Sequence, residues 1–143
     1  KTSNHDRIAS LLHALLNAPL SQPIGIGYCA KVLISPTAIG IRAISGVYEP
    51  INEQLCGPHA SVIMGMRPTP KKPENCQYLI KNTWGKNCKD YSRNWECKKN
   101  IRGEEDGVWI DEEALLNNLY TFSYLSKNPI KVEDLPAGRA LRR

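Results

Sequence analysis

Two short runs of strand-forming residues each carry one polar group that a strand has no structural need for. His59 opens the run His59-Ala60-Ser61-Val62-Ile63-Met64-Gly65, and Asn82 closes the run that starts at Cys76 and leads into Thr83-Trp84-Gly85. Polar residues placed in this way on a rigid scaffold are typical of catalysis. An imidazole titrates near neutrality and shuttles protons, provided that a partner holds one ring nitrogen so that the other faces the reacting group. An amide side chain can do the holding, because its carbonyl oxygen accepts from a ring N–H without adding charge. Trp84 is positioned to cover the pair, and a hydrogen bond shielded from water is strengthened. His59 and Asn82 together therefore suggest general acid/base chemistry, with Trp84 in support.

For the two groups to meet, their runs must lie side by side. They are 23 positions apart, which a long hairpin accommodates, with residues 67–75 as a polar, proline-rich connector. Upstream, Asn4 or Ser3 caps a helix through residues 6–18, whose Ile8, Leu11, Leu12, Leu15 and Leu16 form one apolar face. His13 lies one step off that stripe and reads as a partly exposed helix histidine; His5 reads as a solvated terminal residue. Pro19 and Pro23 end the helix, and residues 22–29 alternate as a strand whose glycines leave room for another backbone or a ligand. Residues 31–50 hold only short apolar runs and have no firm assignment. Residues 86–105 read as a charged, cysteine-containing surface loop tied by a disulfide rather than as a lid over substrate. A last strand alternates over 119–125. Residues 126–143 have no periodicity and read as a tail or connector.

His59-Ala60, the apolar run to Gly65, and Tyr78-Leu79-Ile80-Lys81-Asn82-Thr83-Trp84-Gly85 together resemble the C-terminal half of papain-like cysteine peptidases. The resemblance extends over about residues 6–125 and makes 107–110 a strand, and residues 1–125 are read as that half-domain. It implies an α+β fold: the family's right-hand domain, an antiparallel, barrel-like sheet with one amphipathic helix. It makes His59 the catalytic acid/base, Asn82 its orienting partner and Trp84 their shield, with Gly57 and Ala60 lining the substrate pocket. Pro58 departs from the Asn or Asp usual before the histidine. In the family the nucleophilic Cys lies about 130–150 residues before the His and Asn. No such motif stands in this chain, nor does the glutamine that completes the oxyanion hole. The resemblance therefore implies a partner, an N-terminal half carrying the nucleophile, and a peptide or protein substrate. It also implies that Cys56 has a disulfide partner in the later loops; Cys97 serves either Cys56 or Cys88. A catalytically inactive homologue acting as a binding module is the alternative. A second is a complete domain with Cys29 or Ser61 as nucleophile, although Cys29 follows a strand rather than opening a helix, and a buried or disulfide-linked role suits it better.

The chain has 143 residues, enough for one domain, and a net charge of +5. That charge is unevenly spread: residues 71–102 carry nine basic and three acidic groups, whereas 103–125 carry six acidic and no basic ones. Adjacent opposite surfaces of this kind argue against a nucleic-acid footprint, which needs one consistently basic face. No apolar run is long enough for a membrane span. Five cysteines point to an oxidising compartment: secreted, periplasmic or lysosome-like. Cys56 and His59 have the spacing of two zinc ligands, but no second close pair follows, so neither metal nor cofactor is expected.

Overall fold

The computed structural model describes residues 4–17, 22–44, 46–84 and 87–124. Ser3, Ala18, Pro19, Gly85, Leu125 and the 126–143 tail lie outside them. The first helix, α1 (Asn4–Asn17), carries Asp6 in its first turn, where a carboxylate favours the helix dipole. Ile8, Leu12 and Leu16 recur every four residues and are buried, with Leu11 and Leu15 packed beside them. In β1 (Ile24–Cys29), Ile24, Ile26 and Tyr28 point into the core. The region without a sequence assignment holds a single turn of helix, α2 (Lys31–Ile34), and a small separate hairpin of β2 (Ile41–Ile44) and β3 (Val47–Pro50). Asn52 caps α3 (Glu53–Cys56) through its side chain, and Gly57 ends it with φ of 61°.

The histidine run becomes β4 (Pro58–Thr69) and the asparagine run β5 (Lys72–Lys81). The expected connector at 67–75 is mostly strand, with the turn confined to Pro70 and Lys71. Prolines 68 and 73 are tolerated there because this end of the hairpin extends beyond the neighbours β1 and β7 and has free outer edges. The sheet continues with β6 (Glu96–Lys99), β7 (Glu105–Asp111) and β8 (Leu119–Ser123), and α4 (Glu112–Leu116) joins the last two. The fold is thus α+β.

The main sheet is six-stranded and wholly antiparallel, in the order β6-β7-β5-β4-β1-β8. Among the described residues it is open, not barrel-like: β6 and β8 stand at opposite edges and do not pair. Among the described residues three short α-helices accompany α1, where one helix was expected.

Cys56 bonds to Cys29, upstream of it and not in the later loops as expected, whereas Cys88 bonds to Cys97, one of the two pairings left open for Cys97. The first bridge ties the end of β1 to the helical turn just before His59; it also removes Cys29 as a nucleophile. The described part of the 86–105 segment, residues 87–105, is more than a surface loop: Trp95 and Tyr91 are buried, and the Trp95 indole donates to the Val32 carbonyl at 2.9 Å. The room left by the glycines of β1 is filled from within the fold. A Cβ on Gly27 would lie 2.3 Å from Thr121 Cγ2 and 3.0 Å from the Tyr120 ring. Tyr120 is in turn hydrogen-bonded to the backbone of His59.

Gly27→Ala is therefore expected to push β8 away from β1 and destabilise the fold by about 1–3 kcal/mol. A urea-denaturation midpoint equal to that of the unmodified chain would refute the packing argument.

Candidate active site

His59 is the second residue of β4, and Asn82 follows the last residue of β5. Antiparallel pairing of Val62 with Lys81 and Ile63 with Ile80 brings the two ends of the hairpin together. His59 Nε2 lies 2.5 Å from Asn82 Oδ1. An amide oxygen only accepts, so Nε2 carries the proton. Nδ1 is left with its lone pair and has no hydrogen-bond partner among the described residues.

The amide itself is held from both sides. Its oxygen also accepts from the Ser61 hydroxyl at 3.3 Å, and Ser61 Oγ lies 2.9 Å from the Tyr28 hydroxyl, which donates to it. Ser61 is therefore committed to the amide and is not poised as a nucleophile. On the other side, Asn82 Nδ2 donates to the Tyr91 hydroxyl at 3.3 Å, and that hydroxyl donates to Glu105 Oε1 at 3.5 Å. Glu105 is buried, and the same oxygen accepts from the Gly107 N–H at 2.8 Å.

The direction of this chain follows from its far end. Glu105 Oε1 acts as acceptor, so the Tyr91 hydroxyl spends its proton there and can only accept from Asn82. The amide must then present its NH₂ to Tyr91 and its oxygen to His59, which selects the Nε2–H tautomer of the ring. Burial raises the Tyr91 pKa above the ordinary phenol value, opposed by the Asn82 hydrogen bond and reinforced by Glu105. The hydroxyl therefore stays protonated. Burial has the same dominant effect on Tyr28.

Two rings flank the imidazole. Tyr28 meets it edge-on at 5.8 Å, and Trp84 lies 5.8 Å away at a tilt of 37°. Trp84 stacks on Tyr91 at 5.7 Å and is itself 38 % exposed, so it forms the outer wall of the pair. Gly57 and Ala60 flank His59 along the chain and are both exposed.

Four of the five cysteines are in disulfides, and Cys76 is the free one. It stands six residues before Asn82 on β5, roughly 20 Å along the strand. Burial and the Glu112 carboxylate hold its thiol above the usual range, the reverse of nucleophile activation. Sequence reasoning missed Tyr91 and Glu105. The only signal for Tyr91 was an aromatic residue inside a disulfide-bracketed segment, and nothing marked Glu105.

Two disulfides are the mark of an oxidising, non-cytosolic environment. Among the described residues no helix is long and apolar enough to cross a membrane. Comparison with protein-family models, curated proteins and solved structures found no match.

In the unmodified protein the ¹⁵N signals of His59 are expected to report a single Nε2–H tautomer. Glu105→Gln, whose amide can donate, should admit the reversed chain and mix in the Nδ1–H form; an unchanged tautomer in this variant would show that Glu105 does not set the direction.

Proposed function

We propose that this chain supplies the proton-transfer half of a papain-like cysteine peptidase site. The observation that carries the reading is the 2.5 Å contact between His59 Nε2 and Asn82 Oδ1, which leaves Nδ1 as the available base. Support comes also from Trp84 against the ring and from the antiparallel α+β scaffold. The nucleophile would be a Cys thiol outside this chain, on an N-terminal half of the same peptidase, since four of its own cysteines are in disulfides and the fifth lies far along β5.

In this reading the thiol proton passes to His59 Nδ1, giving a thiolate beside an imidazolium, the reactive state of such pairs. The thiolate sulfur bonds to the scissile carbonyl carbon. The C–N bond then breaks, and the amine leaves with the proton from Nδ1. Water attacks the resulting thioester, giving its proton to Nδ1; the acid is released, and that proton returns to the sulfur. Asn82 keeps the ring aligned through these transfers, because Nε2–H donates to it whether Nδ1 is protonated or not. Gly57 and Ala60, exposed beside the histidine, are the proposed substrate-side residues. The disulfides agree with work in a secreted, periplasmic or endolysosomal setting.

The test is hydrolysis of a fluorogenic peptide by the complete protein, with and without a thiol-alkylating inhibitor, after its chains have been defined by intact mass and N-terminal sequencing. Inhibitor-sensitive turnover and a companion segment bearing the thiol would support the proposal. Inactivity, or a Ser or Gly at the nucleophile position, would instead make the protein a binding module. Within an active protein, His59→Ala should lower kcat/KM by about 10²–10⁴-fold or more. Asn82→Ala should cost less and leave measurable turnover; equal losses would contradict an orienting role.

A further inference from the structure

On another part of the sheet, three chemically different donors converge from elements far apart in sequence. A His13 imidazole nitrogen from α1, the Cys76 thiol from β5 and a Glu112 carboxylate oxygen from α4 all lie within 4.8 Å of one another, and all three residues are half-buried. His13 Nε2 is 2.6 Å from Glu112 Oε2, and the Tyr78 hydroxyl donates to the same carboxylate oxygen. Cys76 and Glu112 line a cleft of about 490 Å³ whose wall also includes Glu74, Asn75, Asp111 and Glu113.

We propose that His13, Cys76 and Glu112 form a binding site for a divalent metal ion of the zinc class. The donor set argues for that class: one nitrogen, one sulfur and one oxygen suit a borderline-soft ion rather than calcium or magnesium, which take oxygen ligands. Zinc bonds to nitrogen and oxygen at about 2.0–2.2 Å and to sulfur at about 2.3 Å, so tetrahedral donors stand roughly 3–4 Å apart and small side-chain movements suffice. The ion enters between His13 Nε2 and Glu112 Oε2, with the ring proton of the neutral imidazole carried on Nδ1, and the Cys76 proton is released to solvent. Thiolate and carboxylate then neutralise its two charges. Tyr78 fixes the carboxylate from behind, as outer-sphere partners of metal ligands do. Three protein donors leave a fourth position for water or an incoming group from the acidic cleft, which also attracts the cation.

Sequence spacing missed this site because its ligands at 13, 76 and 112 share no local motif. Ordinary readings exist for each member taken singly: an ion pair between helices, and a free cysteine. Neither reading requires the thiol to sit against that ion pair and beside an acidic cleft.

The experiment uses the chain with both disulfides intact and Co²⁺ as the probe. One equivalent is expected to bind with a thiolate-to-cobalt charge-transfer absorption that Zn²⁺ then bleaches. Cys76→Ser should abolish that absorption, His13→Gln and Glu112→Gln should weaken binding, and Tyr78→Phe should weaken it by about 10–100-fold. Circular dichroism checks that each variant is folded. A second readout needs no variant: Zn²⁺ should slow alkylation of Cys76 by iodoacetamide by about tenfold or more, because a metal-bound thiolate is a poorer nucleophile. No charge-transfer band, a band that survives Cys76→Ser, or an alkylation rate indifferent to Zn²⁺ would each overturn the site and leave only an ion pair. None of these measurements involves peptide hydrolysis, so their failure leaves the proposed function untouched, and the converse holds as well.

Discussion

The register of the β4–β5 hairpin governs the candidate active site. Side chains alternate along a strand, so Ile63 opposite Ile80 places both in the core and, a few residues on, turns His59 and Asn82 toward each other. A slip of one residue would send every one of these groups to the opposite face. Burial of Ile24, Ile63, Tyr78, Ile80, Val108 and Ile110 makes such a slip costly, since each large side chain buried contributes about 1.5–3 kcal/mol. The hydrophobic layer beneath the sheet thereby sets a polar distance at its end.

Around that register the fold adds local restraints. The Cys29–Cys56 bridge closes 27 positions and anchors the segment entering β4, while Ala30 N–H donates to the Gly57 carbonyl at 2.9 Å beside it. The second bridge shapes a segment that looks peripheral in sequence but reaches inward. Ser92 N–H bonds to the Leu33 carbonyl and the Trp95 indole to that of Val32, which anchors the segment on α2. Its Tyr91 is then presented to Asn82 from the side opposite His59.

How much was legible in the sequence divides along physical lines. The α1 stripe, β1 and β8 announce themselves by periodicity, which survives whenever one face of an element is buried. The juxtaposition of His59 with Asn82 was readable too, because one opens and the other closes a strand-forming run that has no structural need of it. Prolines 68 and 73 obscured the length of the hairpin, since proline normally argues against a strand and only the free outer edges of its far end admit it. Helix α4 is one turn and a half long, too short for a helical period to emerge. Cys29–Cys56 could not be read from spacing, because the pairing of cysteines is decided by the path of the chain between them. Tyr91 and Glu105 escaped for the same reason: their significance lies in which groups they meet across 9 and 14 positions of folded chain.

The chain of donors and acceptors from Glu105 to His59 also bears on how this protein can diverge. Each hydroxyl or amide in it has its direction assigned by the next, so a substitution at one position changes what is acceptable at the others. Loss of the Tyr91 hydroxyl removes the reason for an acidic residue at 105, and a donor at 105 removes the reason for the present orientation at 82. Asn82, Tyr91 and Glu105 should therefore vary as a set in descendants of this sequence, with single changes rarer than paired ones, even though the three residues are scattered over a loop and two strand ends.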